Sequence, residues 1–144
     1  MSSLSDTYGS AKHPDRPVVH DRPAGMSDAT VDALGKLSAA LETVEHARGH
    51  LYAFHRLSGT SDLALQEALV SLREAGHQEL AAEIDEVLVG RDVIAGRWTF
   101  QLVEDYDAGY WSIFRAVEEQ ARNRLGNAAP HVYEAEMKHR EQRA

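Results

Sequence analysis

From Ser27 to Gly126 the chain repeats apolar residues at intervals of three, four and seven, and then sets charged side chains on the same faces. Leu34, Leu37, Leu41, Val44 and Leu51 form one stripe, the spacing of an amphipathic helix. On a helical wheel Arg48 falls in the centre of that stripe and His55 almost on the same line. The pattern calls for an all-α fold whose polar centre has to be reconciled with a hydrophobic core.

Punctuation divides this stretch into a helical bundle of about four helices. Ser27 can cap free amides, with Asp28 and Asp32 at the positive end of the helix dipole, so the first helix is expected to begin there. Gly59 is expected to end it near Leu57, and a second helix follows over roughly 62–75 on Leu65, Leu69 and Leu72. Gly76 reads as a turn. A third helix runs to about Val89 on Leu80, Ile84, Val87 and Leu88. Residues 90–97 then form a connection whose Val93 and Ile94 are expected to pin it to the core. The fourth helix extends from Trp98 or Thr99 to Leu125, with Val103, Tyr106, Tyr110, Phe114, Val117 and Ala121 on its stripe.

Residues 1–26 hold all but one of the four prolines and have no sustained period, which predicts an extended or disordered arm. Within it Pro17-Val18-Val19 could dock as a short extended piece. Residues 127–144 read as a polar C-terminal extension able to form a short helix, with only Val132, Tyr133 and Met137 to bury. The folded domain is therefore expected at 27–126.

Charge narrows the partners. The net charge is −8, and the excess lies in 27–126, where 17 acidic residues face nine Lys and Arg. Such a surface repels phosphate backbones, and no basic run interleaved with aromatics offsets it, so nucleic acid is not an expected partner. No apolar run approaches the roughly 18 residues needed to cross a bilayer, so no membrane partner is expected. With no cysteine there is no disulfide or thiolate metal site. A soluble cytoplasmic protein is the expectation.

The buried guanidinium is the sharpest expectation. Arginine cannot discharge by losing its proton, so Arg48 needs an anion, and Asp107 at the edge of the fourth helix's stripe is the candidate. An Arg48–Asp107 pair would staple the two long helices. The same region is the candidate ligand site: Arg48, His55, Tyr106, Asp107, Tyr110 and Trp111 would line a polar pocket for an anionic or aromatic small molecule. His55 would be its acid or base near neutrality.

Two further pairs have metal-ligand spacing. His46 and His50 lie one helical turn apart on the face opposite the leucines. Glu74 and His77 match the Glu-x-x-His spacing of di-iron bundles, but only once and across a glycine, with Glu45, Glu104 and Glu118 as further carboxylates. A bound metal ion is thus a candidate cofactor, completed by ligands from elsewhere in the bundle.

No phosphate loop, nucleophile elbow or zinc-protease motif occurs. The sequence reading is a non-catalytic helical interaction module acting as a homodimer or other homo-oligomer. The alternatives are a small-molecule binding protein or enzyme using the pocket between the first and fourth helices, and a metal-binding helical bundle.

Overall fold

The computed structural model describes residues 21–126 and 129–143. Most of the expected N-terminal arm, with Pro17-Val18-Val19, lies outside the described residues. The architecture is all-α. Helix α1 spans Asp28–Glu74 and α2 spans Gln78–Leu88. Helix α3, Thr99–Tyr106, runs through a π-helical segment, Asp107–Trp111, into α4, Ser112–Arg124. Helix α5 spans Val132–Arg143. Among the described residues no helix is long and apolar enough to cross a membrane.

The start of α1 follows the sequence. Ser27 Oγ accepts the Thr30 amide at 3.2 Å, and its carbonyl accepts the Val31 amide. The first bond fills one of the free amides at the helix N-terminus, and the second is the first bond of the helix itself. The expected break at Gly59 does not occur, because α1 is one helix of 47 residues, about 70 Å long. The reason is local. An interior glycine costs only about 1 kcal/mol. Its hydroxyl neighbours here bond back onto the helix instead of capping a new one, Ser58 to Phe54 O, Thr60 to Arg56 O and Ser61 to Ser58 O.

At Gly76 the turn forms. Gly76 has φ +92°, a left-handed conformation that L side chains resist. Its amide bonds to Arg73 O and the His77 amide to Leu72 O, the paired bonds of a Schellman motif. Arg73 Nη2 then reaches Asp85 Oδ2 at 2.9 Å, tying the end of α1 to α2.

The connection to α3 is built by Asp92 and Gly96, not by the core. Asp92 Oδ2 accepts the Gly96 amide at 3.1 Å, Gly96 has φ +74°, and the Arg97 amide bonds to Ile94 O. Arg97 also pairs with Asp105 in α3. This leaves Val93 and Ile94 exposed rather than pinned against the core. The turn is satisfied by its own polar groups, so nothing draws the two side chains inward.

The described residues fall into two compact units, one of Lys36–Ala121 and one of the residues up to Gly35 and from Arg122 onward. In the second, Val31, Leu34 and Val132 are buried. Arg22 grips Glu136 of α5 through two bonds of 3.0 Å and also bonds Asp28 at the start of α1. Gly35 lies against Tyr133, where an added Cβ would be 3.2 Å from the ring-bearing carbon. The polar extension is thus a helix with a docking residue at each end of its contact. In Lys36–Ala121 the buried apolar residues are Val44, Leu69, Ala81 and Val103, joined by Ser38 and Glu118.

The continuity of α1 is testable at its glycines. A Cβ at either Gly59 or Gly76 would meet nothing within 4 Å, so the two differ in backbone conformation alone. Gly59→Ala should raise stability by about 0.5–1 kcal/mol, and Gly76→Ala should lower it by about 1–2 kcal/mol. Urea unfolding of both variants measures this; a destabilising Gly59→Ala would mean that α1 breaks there.

Candidate functional site

The site lies within the Lys36–Ala121 unit, where the middle of α1 faces the π-helical segment. An α-helix running unbroken from Thr99 would put Tyr110 and Val117 on its inner stripe. The π turn adds one residue, and everything after it shifts by one position. Trp111 becomes half-buried and Glu118 is only 5% exposed, while Tyr110 and Val117 are 58% and 54% exposed. Tyr110, expected among the inner residues, is therefore on the surface, stacked edge-on with Phe114 and tilted against Tyr106.

Arg48 and Asp107 meet as the wheel suggests. Arg48 Nε donates to Asp107 Oδ1 at 2.7 Å and Nη2 to Oδ2 at 3.1 Å. This is the bidentate fork that a planar guanidinium makes with a carboxylate. Tyr52 completes it, accepting from Arg48 Nη2 at 3.3 Å and donating to Asp107 Oδ2 at 3.0 Å. The guanidinium carbon lies 4.0 Å from the Trp111 ring centroid and 4.9 Å from that of Tyr52, close enough for cation–π attraction. Trp111 is itself fixed, since its Nε1 donates to Glu45 Oε1 at 2.8 Å and Arg115 lies over its ring at 4.7 Å.

About a quarter of each partner's side chain still reaches solvent, so water screens the pair and it is weaker than a fully enclosed one. Its electrostatics are nevertheless one-directional. The Arg48 bonds hold the Asp107 carboxyl below the usual carboxylate range against the opposing effect of burial, with a further contribution from Tyr52. Asp107 reciprocally holds Arg48 protonated more firmly than a free arginine.

The remaining candidates are each engaged elsewhere. His55 Nδ1 lies 2.7 Å from Thr99 Oγ1 and ties α1 to the first residue of α3. Tyr106 donates to Val44 O at 3.3 Å. Deeper in the unit, Ser38 Oγ donates to Glu118 Oε1 at 3.0 Å. Tyr52, Ser38 and Arg115 were not singled out by the sequence. Tyr52 had a usable signal, one turn after Arg48 on the same helix; Ser38 and the burial of Glu118 had none, because the extra π residue is invisible to a 3.6 period.

Of the metal-spaced pairs, His46 and His50 approach closely, Nε2 to Nε2 3.1 Å. Glu74 and His77 do not share a helix, since Glu74 ends α1 and His77 follows the Gly76 turn into α2. Glu45 is bonded to Trp111 and Glu118 to Ser38, and Glu104 is exposed. The four-carboxylate arrangement of a di-iron bundle is not formed by these residues.

No known protein family, curated protein or solved structure matches the chain. Its chemistry rests on the geometry. Both Asp107 oxygens are occupied by Arg48 and Tyr52, and the guanidinium faces two rings, an arrangement that holds α1 against the π segment.

The pair gives a pH signature. Because the folded pKa of Asp107 lies below its unfolded value, its stabilisation is fully present above the unfolded pKa. It is lost as pH falls through the folded one. The stability difference between the native chain and Asp107→Asn should be constant above about pH 5 and shrink below about pH 4. Urea unfolding across that range measures it; a difference that stays level down to about pH 2.5, well below the unfolded pKa, would contradict the pairing.

Proposed function

We propose that this protein is a non-catalytic helical interaction module that acts as a homodimer. The observation that carries the reading is the apolar surface of the Lys36–Ala121 unit. On α2, Leu80, Val87 and Leu88 are 48%, 56% and 46% exposed, and Val93 and Ile94 extend the surface into the connection. Leu57, Leu63 and Val70 on α1 and Ile113 and Val117 on α4 are more than half exposed as well.

Single exposed apolar residues are ordinary, but a short helix that leaves three of the four residues of its apolar stripe about half exposed, with only Ile84 better covered, is not. Burial of such side chains contributes about 1.5–3 kcal/mol each, and a unit with four buried apolar residues has little to spare. A cover needed for stability has to be available wherever the chain is made. A second copy meets that condition, and a two-fold axis brings the same face of each copy together.

The composition suits this partner. Each copy carries a net charge of −8, so association has to be apolar and works against mutual repulsion that salt screens. The engagement of Arg48 by Asp107 and Tyr52 weighs against the small-molecule reading, because Arg48 is the group an anionic ligand would need.

Sedimentation equilibrium at micromolar concentration tests the proposal. The chain should be dimeric, with the dimer fraction rising between about 0.05 and 0.5 M salt. Val87→Glu should shift it to monomer and lower its thermal midpoint. In the native chain that midpoint should rise with protein concentration. A strictly monomeric native chain whose midpoint is independent of concentration would refute the proposal.

A further inference from the structure

The outer face of α1 carries an arrangement that the interaction module does not require. His46 and His50 lie one turn apart in the interior of a helix that continues for more than four turns on either side, so their backbones are held at a fixed separation. Their ring centroids are 4.7 Å apart, whereas their Nε2 atoms are only 3.1 Å apart. The rings therefore lean together at the nitrogen end, where the two Nε2 atoms lie within hydrogen-bond distance of each other.

That separation has a chemical meaning. Two imidazole nitrogens with bonds of about 2.0–2.1 Å to one ion, held 3.1 Å apart, subtend an angle of about 100° at that ion. That angle lies between the tetrahedral and octahedral values. Without an ion, two facing Nε2 atoms can share only one proton, so one nitrogen presents its lone pair to the other. Both residues are exposed, and Glu42 and Glu45 on the neighbouring turns make the local surface acidic, which raises the concentration of cations there.

We propose that His46 and His50 form a two-imidazole chelate for a divalent transition ion of the zinc and copper class, with water completing the coordination shell. Imidazole selects these ions over magnesium and calcium, which take oxygen ligands. Two ligands on one helix confer weaker binding than a closed four-ligand site, and within the class Cu2+ should bind more tightly than Zn2+. The ion bridges consecutive turns of α1 and binds the helical state alone, so it stabilises that segment by linkage.

Calorimetric titration of the full chain, free of any histidine tag, with ZnCl2 and separately CuCl2 tests this. The expected result is about one equivalent bound in each case. His46→Gln and His50→Gln should each weaken binding at least tenfold, and His77→Gln should leave it unchanged. Because the residues are exposed, far-UV circular dichroism should be the same in all variants. Imidazole NMR signals supply an independent readout, as one equivalent of Zn2+ should shift those of His46 and His50 ahead of the other histidines. Binding of less than about 0.1 equivalent, or binding undiminished in both His46→Gln and His50→Gln, would overturn the proposal.

Discussion

The Lys36–Ala121 unit depends on a charge that cannot be removed. Arg48 is fixed at the centre of an apolar stripe and remains protonated, so the opposing element has to offer a carboxylate, and Asp107 does so through two hydrogen bonds. Much of the unit's local geometry follows from that demand. The π turn at Asp107–Trp111 carries Asp107 and Trp111 together onto the side facing α1. Trp111 and Tyr52 then cover the guanidinium with their rings, and Glu45 and Arg115 hold Trp111 in place.

The same π turn has a second consequence further along the helix. By advancing the phase one residue, it turns Glu118 inward, where Ser38 meets it, and turns Ile113 and Val117 outward. Polar groups take up part of the interior while apolar groups are displaced to the surface. The unit is thus specified by hydrogen bonds and a partly buried ion pair and carries hydrophobic area outside, which is the physical ground of the proposed second copy. The histidine pair lies on the opposite side of α1 from the leucine stripe.

Where one local rule governed, the sequence was readable. Ser27 and Asp28 marked the start of α1, Gly76 marked its end, and Arg48 and Asp107 could be paired because a buried arginine has few ways of being satisfied. The sequence is ambiguous where two local rules compete. Gly59 looked like a stop because serine and threonine beside a glycine favour caps, yet those hydroxyls bonded backwards and the helix continued. Val93 and Ile94 looked like core residues by composition, but Asp92 and Gly96 closed their turn without them. A 3.6-residue period places Tyr110 and Val117 inward, and one additional residue shifts them to the surface. A π insertion leaves no mark in apolar spacing, so the inward turn of Glu118 was not legible.

Arg48 and Asp107 act as one energetic unit. A double-mutant cycle of urea unfolding, with Arg48→Met, Asp107→Leu and the combined variant, isolates their interaction from what each side chain does separately. Each single replacement leaves a partly buried charge without its partner, so the two losses together should clearly exceed the loss in the double variant, which leaves neither. If the single losses instead sum to the double loss, the two residues are energetically independent, and the π turn is held by something other than the charge it presents.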